Sequence, residues 1–219
     1  GTTLIGLTPP FGLDAAMREG TRFVGPFIAV WYVIFMIPYF LCVREPKPVV
    51  RQGGIGAALS DLKTSIAGVL KRQSLAAFLG SSMLYRDALN ALYGFGGVYA
   101  RLVLDWSLTM IAVFGIIGAI TAGVFTYVGG VFDVRYGPKP VIRVCVWILI
   151  AVCTIIVGMS RETFFGLPIA EGSSLPDIVF YVCGAAIGGA GGALYAASRS
   201  MMVRHTNPDR PTEAFGLFA

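Results

Sequence analysis

The sequence predicts an all-α fold, a polytopic transmembrane helical bundle with five full spans and the start of a sixth. Three observations predict it. Hydrophobic residues make up 56% of the 219 residues and charged residues only 13%, against about 25% charge in a soluble domain. There are too few charges to coat a globule in water, and the mean hydropathy of +0.74 agrees. The apolar residues fall in runs near the ~20 residues a spanning helix needs, not in short strands or amphipathic stripes. Basic residues, finally, collect on alternate loops between those runs, as orientation in a membrane requires.

The first run, Phe23–Val43, carries no charge and has Pro26 near its start and Pro38 near its end, where membrane helices tolerate kinks. The second, Ser74–Leu104, contains Arg86, Asp87 and Asn90. Trp106–Phe132 is uncharged and rich in Gly and β-branched residues; Val141–Ser160 and Asp177–Met202 follow, and Glu213–Ala219 begins a sixth run. Arg44, Lys47, Arg51, Lys63, Lys71 and Arg72 separate the first two spans. Arg135, Lys139 and Arg143 separate the third from the fourth, and Arg199, Arg204 and Arg210 follow the fifth. The other side holds only Arg18, Arg22, Arg101 and Arg161. This alternation puts the first residues outside and 44–73 in the cytoplasm. Three segments result: 1–43, an extracytoplasmic loop and first helix; 44–73, a cytoplasmic loop; and 74–219, a truncated bundle. Within the loop, Ile55, Leu59, Leu62, Ile66 and Val69 recur at helical spacing, the pattern of an amphipathic helix lying on the inner membrane surface.

The charge balance excludes other classes. Net charge is +5, but no basic run interleaves with aromatics, and inside-loop cations account for the excess; no nucleic-acid partner is expected. Cys42, Cys145, Cys153 and Cys183 lie in apolar runs without a CxxC pair, so they read as small hydrophobes. His205 stands alone, and neither a metal nor a cofactor is expected. An enzyme finds no support: there is no HExxH, no Ser or Cys beside a His, and no paired intramembrane carboxylates. The chain opens at Gly1 without an initiator Met and closes inside an apolar run, which reads as a piece of a longer polypeptide.

Chemistry concentrates in the second span. Arg or Asp at mid-membrane costs about 2.5–3.5 kcal/mol, while each Leu, Ile, Phe or Val returns about 0.3–0.6. Such a helix faces a protein interior or a watery cavity, and an ionisable group held there marks a functional site. Arg86 and Asp87 point about 100° apart, and Asn90 lies within reach of either. Tyr93, Gly94 and Gly97 continue along that face. The alternative is that the membrane begins near Ala88 and the pair lies at the cytoplasmic surface.

Two further patterns stand out. GGVFDVRYGPKP, with Gly129, Asp133, Arg135, Gly137 and Lys139, forms a short charged loop between the third and fourth spans. It reads either as a latch that breaks and reforms as helices rock or as an ordinary tight turn. Gly184, Gly188 and Gly192 repeat every four residues in the fifth span, a surface for close helix packing.

The 129–140 loop resembles the signature G-x-x-x-D-R-x-G-R-K of the major facilitator superfamily. Gly129 and Asp133 match in spacing, Arg135, Gly137 and Lys139 follow one residue late, and Pro138 stands where the family often has Arg. MLYRDALNALYGFGGVYA (Met83–Ala100), GGALYAASRSMMVRHTNPDRPTEAFGLFA (Gly191–Ala219) and PPFGLD (Pro9–Asp14) are similar to its vacuole-effluxer-like branch. The resemblance implies helices six to ten of a major-facilitator-type bundle, plus the start of eleven. Residues 1–43 would then end the N-terminal half, whose remaining helices form a missing bundle. It also implies efflux of a small solute, with amino acids the class associated with fungal members, and the RD pair near the cytoplasmic side of helix seven.

Together these features read as a secondary transporter in a bacterial inner (plasma) membrane, working by alternating access. Its partners are the lipid bilayer, a small-molecule solute, protons as coupling ion and the missing bundle. Arg86 would hold an anionic group, Asn90 and Tyr93 would hydrogen-bond it, and Asp87 would either neutralise Arg86 or exchange a proton. The competing reading is a non-transporting scaffold or sensor that docks partners through the amphipathic loop helix.

Overall fold

A computed structural model describes residues 19–44, 54–170, 172–206, 216 and 218, with backbone alone at 20, 21, 55, 58, 61, 62, 65 and 70. Glu213–Ala219 therefore lies outside the described residues except at Gly216 and Phe218. The chain divides into two units, Gly1–Ala58 and Leu59–Ala219.

The first unit holds helix α1 (Glu19–Cys42), with Pro26 and Pro38 inside it. Four aromatic rings, Phe23, Phe27, Trp31 and Phe35, stack one turn apart along it, with centroids 6.2, 5.8 and 4.7 Å apart. Helix α2 (Ile55–Lys71) begins where the first unit ends and covers the expected amphipathic segment. In the second unit Leu59 and Ile66 of α2 are exposed, whereas Val69 packs against Leu75, Phe78 and Met202.

Among the described residues the rest of the second unit holds four long helices, α3 (Gln73–Leu102), α4 (Leu108–Tyr136), α5 (Pro138–Val157) and α6 (Leu175–His205). Among the described residues α1, α4, α5 and α6 are long and apolar enough to cross a membrane. α3 has 30 residues, about 45 Å against a hydrocarbon core of about 30 Å. Length is not what sets it apart; Arg86, Asp87 and Asn90 dilute its apolar run.

The turns follow from their residues. Ser107 Oγ caps α4 by accepting from the Met110 N–H at 3.3 Å. Gly137 alone joins α4 to α5, at a φ of 87° that favours glycine, and Pro138 then starts α5 at the position where its missing N–H costs nothing. Between α5 and α6 a two-stranded hairpin, β1 (Thr163–Phe164) and β2 (Leu167–Pro168), pairs Phe164 with Leu167. Its two turn residues, Phe165 and Gly166, both have positive φ, 49° and 80°, the twist a two-residue hairpin needs.

Helix α6 is the centre of the bundle. Its buried face packs Cys183, Ile187, Ala190 and Leu194 against Leu89 of α3 and Cys145, Leu149 and Val152 of α5. On another side Gly184, Gly188 and Gly192 meet α4. A Cβ at Gly188 would strike the Gly118 carbonyl oxygen, and one at Gly192 would lie 2.6 Å from the Ala122 oxygen. Only hydrogens at these positions allow the two backbones to touch, which is how small residues bring membrane helices together.

Candidate functional site

The second-span residues divide between two surroundings. Tyr195 of α6 donates its hydroxyl hydrogen to Asn90 Oδ1 at 3.1 Å, and the Tyr93 hydroxyl reaches toward the Ile187 carbonyl at 3.5 Å. One turn before Asn90, the Tyr85 hydroxyl and Ser198 Oγ are 2.7 Å apart, and Ser198, fully buried, passes its hydrogen to the Leu194 carbonyl at 2.6 Å. These contacts form a polar seam along an otherwise apolar α3–α6 contact. Arg86 is half-buried; it donates to the Phe218 carbonyl and lies 4.9 Å over that residue's ring. Asp87 is exposed.

Ser198, which Tyr85 meets, stands 198 − 190 = 8 residues, about 12 Å along the helix, from Ala190 at the middle of α6, toward its basic end.

The GGVFDVRYGPKP stretch is the end of α4, the Gly137 joint and the start of α5. Gly129 packs on α6, its would-be Cβ 2.8 Å from Ala193 Cβ. Asp133 is buried at 9% exposure, and its Oδ1 lies 3.6 Å from Arg204 Nη2 without a hydrogen bond. Arg204, near the C-terminus of α6, also passes over Gly137, 3.4 Å from where a Cβ would stand. The ion pair thus ties α4 to α6. Arg135 instead lies 5.4 Å over the ring of its neighbour Tyr136, and Lys139 is exposed.

The opposite end carries a second polar cluster that sequence reasoning does not pick out. Asp177, in the first turn of α6, accepts from Trp106 Nε1 at 2.6 Å and from Arg161 at 2.7 Å. Arg101 donates to the Trp106 carbonyl at 2.9 Å. Trp106 is only 1% exposed; it meets Phe114 and Phe180 edge to face and lies tilted against Tyr181. The signal available beforehand was coarse: Trp106, Arg161 and Asp177 all flank spans on the side poor in basic residues. The partner roles of Tyr85, Tyr195, Ser198 and Arg204 were equally hidden. Among the described residues no group of three or more His, Cys, Asp or Glu gathers.

No curated protein and no solved structure matches the chain. A family model does: the one described as "Vacuole effluxer Atg22 like" matches residues 7–219, nearly the whole sequence. With that match and a bundle of long apolar helices, the chain belongs to the vacuole effluxer Atg22-like family, within the major-facilitator type of transporters, and is an integral membrane protein.

Proposed function

We propose that the chain forms part of a secondary transporter that exports a small solute bearing a carboxylate, amino acids included, by alternating access coupled to protons. The observation that carries this reading is Arg86, half-buried in the middle of α3 beside the Asn90–Tyr195 seam. Its guanidinium donates to the Phe218 carbonyl and lies over that ring, and a guanidinium is the group whose paired donors match a carboxylate. Asn90 and Tyr93 offer neutral hydrogen-bonding groups on the same helix face. Asp87, exposed about 100° away, is the group that can take and release a proton. Gly129 to Lys139, through Asp133 and Arg204, would set the balance between inward and outward forms. The membrane is a bacterial plasma membrane, with 44–73 on its cytoplasmic side.

The test uses the full-length protein in proteoliposomes with an internal pH dye, challenged with amino-acid pools. A substrate-dependent pH change, abolished in Arg86→Ala and Asp87→Asn, is the expected result. Labelled solute moving without a pH change would remove the proton role, and Asp87→Asn still coupling would remove it from that residue. A scaffold or sensor role is the second reading, favoured by the exposed Leu59 and Ile66 of α2. It predicts that deleting α2 abolishes a cytoplasmic interaction while no pool is ever transported.

A further inference from the structure

Two tyrosines cross the contact between α3 and α6 in opposite directions. Tyr93 leaves α3 and lies over Gly191 of α6, where a Cβ would run into its hydroxyl. That hydroxyl is aimed at the Ile187 carbonyl, 3.5 Å away. Tyr195, one turn beyond Gly191, leaves α6 and donates to Asn90 Oδ1 at 3.1 Å. This second bond decides how Asn90 meets its surroundings. A side-chain amide has an acceptor end and a donor end. Tyr195 takes the acceptor end, and among the described residues no acceptor meets Nδ2. Asn90 is exposed, so its two N–H groups are what it offers. Between membrane helices an unmet N–H is costly, and this pair calls for an acceptor.

The chemistry of that acceptor follows from its neighbours. Arg86 is four residues before Asn90, on the same side of α3. A guanidinium and an amide N–H pair are donors without an accepting atom, and an oxygen bearing negative charge suits both. A carboxylate has two such oxygens, whereas a carboxamide replaces one of them by a donor. We infer that Tyr195 is a positioning residue for the solute: by holding Asn90 Oδ1 it turns the amide N–H pair to the solute's carboxylate. Without the Tyr195 hydroxyl the amide can turn over and offer its oxygen, and the choice of carboxylate over carboxamide is lost. This inference rests on the transporter reading above and adds to it a residue from α6.

Its test is the flux of a radiolabelled amino-acid mixture through the full-length protein in proteoliposomes, with unlabelled amino acids or their carboxamides as competitors. The wild type should prefer the carboxylates by about tenfold or more. Tyr195→Phe should bring that preference close to unity and raise KM about tenfold, with kcat changed less than about twofold. Asn90→Asp still gives Tyr195 an oxygen but sets an acceptor where the N–H pair was, and should lower flux about tenfold or more. An unchanged preference in Tyr195→Phe would overturn the inference and leave the transporter reading standing. So would normal flux in Asn90→Asp, because a bond that only joined α3 to α6 would survive that change. No flux of any amino acid by the wild type would remove the reading and the inference together. Asn90→Asp keeps the Tyr195 bond, so it decides the matter even where Tyr195→Phe does not fold.

Discussion

A Cβ added at Gly188 would run into the backbone oxygen of Gly118 and into Thr121 Oγ1, whereas one at Gly191 would meet the hydroxyl end of Tyr93. Backbone cannot swing aside, and a tyrosine ring can. Gly188→Ala should therefore lower stability by about 1–3 kcal/mol, the range for overpacking. Gly191→Ala should cost clearly less while displacing Tyr93 from Ile187. Thermal unfolding of the two variants in the same detergent checks the order. A similar asymmetry belongs to the Asp133–Arg204 pair, whose side chains are 13% and 52% exposed. Arg204→Gln strands a buried carboxylate and should destabilise by about 1–3 kcal/mol. Asp133→Asn leaves an arginine that can turn to water and should cost less, and a denaturation series on the two single variants and the double would show it.

At the scale of the helix, α3 meets α6 both through apolar packing, with Leu89 among Ile187 and Leu194, and through hydroxyls. Tyr85→Phe and Ser198→Ala should each weaken this contact, with a coupling in a double-mutant cycle of about 0.6 kcal/mol, as for other hydrogen bonds within membranes. A coupling near zero would mean that the pair merely coexists. The extent of each helix was legible because the length of an apolar run is set by the bilayer. So was the unusual character of α3, since Arg86 and Asp87 interrupt its run. The rotation of each helix about its axis was not legible. In water an amphipathic stripe shows which side packs inward, but Trp106–Phe132 is apolar all round and lipid rewards no contrast. Only the small-residue spacing of Gly184, Gly188 and Gly192 betrayed a face. For the same reason Asp133 could be singled out while its partner Arg204, 71 residues later (204 − 133), could not. The hairpin at Phe165–Gly166 escaped notice because two residues per strand leave no periodicity to read.

Across the whole second unit, polar ties lie at both ends of the bundle, with the α3–α6 hydroxyl contacts between them. Asp133 and Arg204 join α4 to α6 at the basic end, and Asp177 joins α6 to Trp106 and Arg161 at the other. Each tie has a buried thiol nearby as a native reporter: Cys183 is six residues from Asp177 (183 − 177), and Cys145 lines a groove between α4, α5 and α6 that also reaches Gly129. Asp177→Ala should leave the Trp106 indole N–H without its acceptor and raise alkylation of Cys183 about tenfold, with Cys145 little changed. Arg204→Gln should do the converse. Residue-resolved mass spectrometry after a maleimide pulse separates the two, and equal acceleration at both thiols would mean general unfolding.

The glycine contact between α4 and α6 has a mechanical side. Where Gly118 and Gly188 touch, no side chain stands between the backbones, and a joint without rotamers has no alternative seating. It acts as a weld that carries displacement from one helix into the other. Tyr85 and Tyr195 instead bridge α3 and α6 through side chains that can turn about their own bonds. A load applied at α6 should therefore be passed on to α4 and be taken up in part at α3.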